Sequence, residues 1–93
     1  MDIVYASLVR QESGEPTSVG EASELVGALW AHALPEDGIE HASVRVLLER
    51  VVILFFLRRA DRFGGSPEGR VGRLLQRCHR ASPLIRSRYL PPA

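Results

Sequence analysis

The sequence contains no lysine and no asparagine, and it has a single cysteine and no long hydrophobic run. One cysteine, Cys78, excludes an internal disulfide and falls short of any multi-cysteine zinc motif, which favours a reducing compartment, the cytoplasm. The most apolar stretch, residues 51–57, is seven residues long, whereas a membrane span needs about 20. The first residues show no basic and apolar leader, so we expect neither a signal peptide nor membrane insertion.

The length and the composition predict one globular domain over residues 1–93. The chain is 45% hydrophobic and 25% charged, which argues against intrinsic disorder, and 93 residues suffice for only one core. All twelve basic residues are arginine. This bias indicates a high-GC bacterial genome of actinomycete type.

Charge is divided unevenly between the two halves of the chain. Residues 1–44 carry eight acidic groups against Arg10 alone, a net charge of −7. Residues 45–93 carry eleven arginines against three acidic groups, a net charge of +8. Such asymmetry favours an anionic partner, and it is also typical of a fold or a dimer in which the two halves neutralise each other.

Turn residues and apolar spacing predict an all-α fold. Ser18 and Glu21 fit a capping box, and Pro35 ends the helix that follows. Ser66 and Pro67 begin another helix, with serine as the cap and proline at the first helical position. The expected elements are three principal helices near residues 19–34, 39–63 and 67–81, with short helical segments toward the termini.

Two apolar stretches are the basis of the predicted oligomeric state. Residues 3–10 are rich in strand formers, but no second strand is evident, so we expect a short helix there or a strand that pairs with a second subunit. Residues 51–57 would be apolar around the whole circumference of the long helix and must be enclosed. This predicts a homodimeric helical bundle that buries Phe55 or Phe56 at or beside its interface.

Polar side chains cluster in sequence on both sides of Pro35, where two helices are expected to meet. Imidazoles and carboxylates there could act as a general base, and opposite charges could fix the two ends of a zwitterionic peptide. The catalytic candidates are His32, Glu40 and His41. The ligand-binding candidates are Glu36, Arg58 and Arg59. The same residues are also typical of ordinary turns and helix ends.

Four arginines of the last full helix fall on one face, within about 80° of one another at 100° per residue. They are Arg70, Arg73, Arg77 and Arg80. Forked guanidinium donors suit phosphate, carboxylate or an acidic segment, which makes this face a candidate anion-binding surface. A solvated face, or one paired with the acidic half, is the alternative. Trp30 lies on the apolar stripe of the first long helix and is expected in the core.

Motifs for cofactor chemistry are absent from the sequence. It contains no phosphate-binding loop, no nucleophile elbow and no defensible metal-ligand spacing, so we expect neither a metal nor a cofactor. The expected helix pair on either side of Gly64 and Gly65 superficially suggests a helix-turn-helix. A whole-chain charge of +1 makes a nucleic-acid-binding regulator the less favoured function.

In size, composition and inferred architecture the chain resembles the small accessory proteins of actinomycete lanthipeptide pathways. One such family forms the lysinoalanine crosslink of duramycin- and cinnamycin-type peptides. The resemblance implies a helical dimer that encloses a small peptide and promotes addition of a lysine amine to dehydroalanine without a cofactor. It rests on no motif and assigns no catalytic residue. Two functions are therefore expected: a peptide- or protein-binding accessory factor, or a cofactor-free crosslinking enzyme.

Overall fold

A three-stranded antiparallel sheet forms the centre of the protein, with strand order β1-β3-β2. The computed structural model describes residues 1–11, 19–59 and 65–92. Along the chain the elements are β1 (Asp2–Val9), α1 (Glu21–His32), a short 3-10 helix (Pro35–Asp37), β2 (Ile39–Val46), β3 (Arg50–Leu57), α2 (Pro67–Ala81) and α3 (Pro83–Arg88). Both outer strands are antiparallel to β3 and hence parallel to each other. The fold of the described residues is α+β.

The predicted all-α fold, and with it the helical bundle, is therefore wrong. The described part of the expected helix over 39–63 is the β2–β3 hairpin, and its last residues, 60–63, lie outside the described residues. Residues 3–10 lie almost entirely in β1, which pairs with β3 of the same chain, so neither the short helix nor the pairing across subunits is found. The physical reason is that a short apolar run rich in β-branched and aromatic residues fits a buried strand as well as a helix.

The turn between β2 and β3 is held by a residue that is distant in the sequence. The amide of Leu47 donates to the carbonyl of Arg50 (2.9 Å), although residues 47–49 include no glycine, proline, asparagine or aspartate. The guanidinium of Arg10 donates to the carbonyls of Leu47 (2.8 Å) and Leu48 (3.1 Å). Because these donors come from far along the chain, no local pattern marks the turn.

The other predicted helices are confirmed. Helix α1 lies inside the expected range 19–34, and α2 matches the expected range 67–81. The hydroxyl of Ser66 accepts from the amide of Gly69 (3.0 Å), and that of Ser82 accepts from the amide of Ile85 (3.2 Å), so serine caps both α2 and α3. The predicted cap at Ser18 lies outside the described residues.

Helices α1 and α2 pack against one face of the sheet and enclose the core. Odd-numbered residues of β3 point into it because successive strand residues alternate between faces. The core also buries Cys78, and burial raises the pKa of its thiol to about 11, so the thiol is not a nucleophile near neutral pH. The buried apolar side chains are Val4, Leu8, Leu25, Leu29, Ala42, Val51, Ile53, Phe55, Leu57, Val71, Leu74, Leu75, Cys78, Ile85 and Tyr89.

The opposite side of the sheet bears side chains that no described helix covers. We call this side the open face. It consists of Ile3, Tyr5, Ser7 and Val9 from β1, of Arg50, Val52, Leu54 and Phe56 from β3, and of His41, Ser43 and Arg45 from β2. The β1 and β2 members are exposed, and Val52, Leu54 and Phe56 are half-buried.

Candidate peptide-binding groove

The chain reverses direction between α1 and β2 in a tight corner, residues 32–38. Helix α1 ends at His32, and Pro35 begins the 3-10 turn because it lacks the amide that would continue a helix. The carboxylate of Asp37 accepts from the amide of Leu34 (2.7 Å) and so caps this turn. The corner is thus closed by its own local hydrogen bonds.

Arg77 of α2 holds the corner in place through three hydrogen bonds. Its two terminal nitrogens donate to both oxygens of the Asp37 carboxylate (2.9 and 3.2 Å), and one of them also donates to the carbonyl of His32 (3.0 Å). Asp37 is only 3% exposed, and its hydrogen bonds raise the pKa of Arg77 above the ordinary arginine value. A guanidinium that donates to both oxygens of one carboxylate fixes the orientation of the two groups as well as the distance between them. The end of α1 and the 3-10 turn are therefore held in one geometry.

A second arginine, Arg70, fills the space behind Gly38. It is 2% exposed, and it donates to the carbonyls of Asp37 (3.1 Å) and Arg58 (3.4 Å). Gly38 has a φ of 70°, and a Cβ atom at this position would lie 2.6 Å from a terminal nitrogen of Arg70. Glycine is required here both for the backbone conformation and for the close approach of the guanidinium.

A shallow groove of about 260 Å³ opens on the outside of this corner. Trp30 and Leu34 are 43% and 41% exposed in it, which is high for large apolar side chains. Arg58 also lines the groove; its amide donates to the carbonyl of Gly38 (2.8 Å), and its guanidinium donates to the carbonyl of Pro35 (3.4 Å). The lining residues are Trp30, Ala33, Leu34, Pro35, Gly38, Ile39 and Arg58. The lining of the groove thus combines apolar side chains with one cationic side chain.

The structure brings some of the predicted ligand-binding residues to the corner. Arg58 lines the groove, and Glu36 is exposed in the 3-10 turn next to the lining residue Pro35. Arg59 is exposed and follows Arg58 directly in the chain. Arg58, an arginine of the basic half, therefore contacts the polar corner, and its role in binding stays a prediction.

The three catalytic candidates lie in different surroundings. His32 is half-buried at the end of α1, and Glu40 is exposed at an irregularity in the pairing of β2. His41 lies on the open face, where its ring packs on Phe56 with ring centres 5.6 Å apart. None of the hydrogen bonds found among the described residues joins the three side chains, so the geometry assigns none of them as a base.

The four arginines of α2 do not form one uniform exposed face. Arg70 is buried, Arg77 is directed at Asp37, and only Arg73 and Arg80 are exposed. Backbone carbonyls accept from Arg70, whereas Arg77 is bound by the carboxylate of Asp37. Anion binding by this set stays a prediction.

Sequence reasoning missed the exposure of Trp30, which was expected in the core. The buried stripe of α1 is instead formed by Glu21, Leu25 and Leu29. Leu25 and Leu29 are four residues apart, and Trp30 follows 100° further round the helix, at the margin of the stripe. A narrow stripe centred on the leucines would have identified Trp30 as a surface residue.

The described residues contain no group of three or more histidine, cysteine, aspartate or glutamate side chains that could hold a metal ion. Among the described helices, none has the length and apolar character needed to cross a membrane. Comparisons of the chain with protein-family models, with curated proteins and with solved structures found no match.

Proposed function

We propose that the protein is a peptide-binding accessory factor and that the corner groove is its binding site. The observation that carries this proposal is an exposed tryptophan and leucine beside Arg58 on a corner fixed by Arg70 and Arg77. The proposed occupant is a peptide segment with an aromatic or large aliphatic side chain next to a carboxylate.

Rigidity of the corner supports binding, because a site that is already in its bound geometry loses little entropy when a ligand arrives. Asp37 is held by both oxygens, and the backbone on either side of it is held by Arg70 and by its own capping bond. Burial of these groups keeps water from competing for the hydrogen bonds. The exposed apolar side chains are thus carried by a rigid platform.

The size and the chemistry of the groove indicate the class of ligand. Pockets for whole small molecules usually measure about 300–1,000 Å³, so a groove of about 260 Å³ accommodates a side chain or two of a longer peptide. The face of Trp30 offers a stacking surface for an aromatic ring. Arg58 can attract a carboxylate through charge and through hydrogen bonds.

The proposed setting follows from the composition of the chain. An arginine-only, actinomycete-type sequence with one buried cysteine fits a cytoplasmic factor that serves a biosynthetic pathway. Lysinoalanine formation in a lanthipeptide remains the alternative prediction from the resemblance. No hydrogen bond found among the described residues joins His32, Glu40 and His41, so the geometry gives that alternative no support.

The proposal is tested by selecting ligands from a random heptapeptide phage library against the immobilised protein. We expect selected peptides to share an aromatic or large aliphatic residue beside aspartate or glutamate, and to change the fluorescence of Trp30, the single tryptophan of the chain. Labelled peptide should bind Trp30→Ala and Arg58→Met at least tenfold more weakly. Leu48→Ala, an exposed residue at the β2–β3 turn, should bind like the wild type.

Two results would contradict the proposal. One is a selection that enriches no sequence above the level of an empty support. The other is a set of selected peptides that binds Trp30→Ala and the wild type with equal affinity, because the groove would then not be the site. Circular dichroism of each variant serves as the folding control.

A further inference from the structure

The central strand of the sheet is apolar on both of its faces, but only one face is covered. Val51, Ile53, Phe55 and Leu57 are buried beneath the helices. The alternate residues, Val52, Leu54 and Phe56, are only half-buried. Strands with a continuous apolar run are typical of sheets that are covered on both sides. The pattern of β3 therefore indicates that something packs on the open face.

The outer strand β1 extends this apolar surface. Ile3, Tyr5 and Val9 are 56%, 74% and 50% exposed. Three strands about 4.8 Å apart and eight residues long give a plan area of roughly 370 Å². The whole face, with its polar members, is therefore comparable in size to the largest apolar patch of a typical monomer, about 300–600 Å², which often has a function. The polar members of the face lie mainly on the other outer strand, β2.

We propose that a second copy of this chain covers the open face. The two sheets pack face to face, about 10 Å apart, around a two-fold axis that crosses the strands between Leu54 and Val52. This axis places β1 over β1 and β2 over β2, so that the apolar side of each face meets the apolar side of the other. An isologous contact of this kind needs a self-complementary surface.

The observed strand register supplies that complementarity. Across each sheet, Ile3, Phe56 and His41 form one row, and Tyr5, Leu54 and Ser43 form the next. Ser7, Val52 and Arg45 form the third row, and Val9 pairs with Arg50 in the fourth. The two-fold axis brings the first row of one copy over the fourth row of the other, and the second row over the third.

The charged groups of the face are accommodated by this arrangement. Arg50 of one copy faces Phe56 of the other, where a guanidinium can lie over the aromatic ring. Arg45 faces Ser43, which can accept a hydrogen bond. No arginine faces another arginine, and the open face carries no carboxylate that would be left without a partner. Like-charge repulsion therefore does not oppose self-association.

The area sets the expected strength of the dimer. Because side chains add to the plan area, two faces of this size bury roughly 1,000 Å² in total. This is the lower limit for a specific protein interface. We therefore expect a reversible dimer with a dissociation constant in the micromolar range. The dimer leaves the corner groove accessible, because the groove and the open face share no residue.

Sedimentation velocity of the full chain from about 1 to 500 µM tests the inference. Wild type should shift from a 10.3 kDa monomer to a dimer over this range. Leu54→Asp and Tyr5→Asp should weaken the dimer at least thirtyfold while the circular dichroism spectrum stays unchanged, because both side chains reach solvent in the single chain. Leu48→Asp, outside the open face, is the matched control and should dimerise like the wild type.

Two outcomes overturn the inference. A wild-type chain that remains monomeric to 500 µM would leave the open face for a different protein. A dimer that persists with unchanged affinity in both Leu54→Asp and Tyr5→Asp would place the interface elsewhere. If Leu54→Asp fails to fold, Tyr5→Asp decides alone, since Tyr5 is 74% exposed.

Discussion

At the scale of single residues, Arg10 joins three segments that are distant in the sequence. Its guanidinium donates to the β2–β3 turn and lies 2.5 Å from the carboxylate of Glu21, at the start of α1. The hydroxyl of Tyr89 donates to the same carboxylate (2.6 Å), and burial raises the pKa of this phenol. A buried cluster of this kind fixes the relative positions of the sheet, α1 and the segment after α3.

Arg10→Met should therefore be strongly destabilising. It removes the ion-pair partner of Glu21, which is 1% exposed, and removing one partner of a buried pair costs about 3–5 kcal/mol. Arg88→Met is the matched control, because the Arg88–Glu24 pair is partly exposed to solvent and is expected to contribute below about 1 kcal/mol. Urea unfolding measures both. Similar losses in the two variants would contradict the role assigned to Arg10.

Substitution of alanine for Gly38 and for Gly72 gives a second comparison between a test variant and its control. Alanine at Gly38 would have to adopt a φ of 70° and displace the guanidinium of Arg70, so Gly38→Ala should cost about 1–3 kcal/mol. Gly72 lies within α2 with no atom near the position of a Cβ, so Gly72→Ala should stabilise by about 0.5–1 kcal/mol. Thermal unfolding should give melting temperatures that move in opposite directions. A shift of both variants in the same direction would contradict the close packing behind Gly38.

At the scale of elements, sequence reasoning succeeded where the signals are local. Ser66 caps α2 as predicted, and the apolar stripe of α2 is buried. It failed for β2 and β3 because the turn between them contains no typical turn residue and is held in part by the distant Arg10. Without a visible break, 25 residues appeared to form one helix. Because residues 50–57 were assigned to this helix, residues 3–10 had no partner strand, and β1 was not recognised.

The same distinction applies to the candidate site. The end of the helix at the corner was predictable from Pro35. The contact with Arg58 was not predictable from charge, because Arg58 donates to backbone carbonyls and is placed there by the pairing of β2 with β3. The parts played by Arg70 and Arg77 were not predictable either, because the apolar stripe of α2 gave no reason to turn these two arginines toward Asp37 and away from solvent. That choice depends on the position of β2, which the helical interpretation did not contain.

Two adjacent phenylalanines of β3 distinguish a strand from a helix. Phe55 is fully buried, so Phe55→Asp should unfold the protein, because a charge would replace a core side chain. Phe56 points to the open face, so Phe56→Asp should retain the native circular dichroism spectrum and lose the dimer. Circular dichroism and sedimentation velocity check the pair. Unfolding of both variants to the same extent would mean that the two faces of β3 are equally enclosed within one chain.

At the scale of the whole molecule, the two oppositely charged halves meet within one chain. Asp37 pairs with Arg77, and Glu24 pairs with Arg88, so the acidic first half is joined to the basic second half. These contacts account for part of the charge asymmetry of the sequence without an external partner. Among the described residues, the two surfaces proposed for partners, the corner groove and the open face, share no residue.

The central claim, that the corner groove binds a peptide, is tested most directly by nuclear magnetic resonance. A phage-selected heptapeptide is titrated into the ¹⁵N-labelled protein, and the amide and indole shifts are followed at a fixed protein concentration. We expect the largest changes at the indole of Trp30 and at the amides of Leu34, Ile39 and Arg58, with the open face unaffected. Changes concentrated on Tyr5, Ser43 and Leu54, with none at the corner, would contradict the claim.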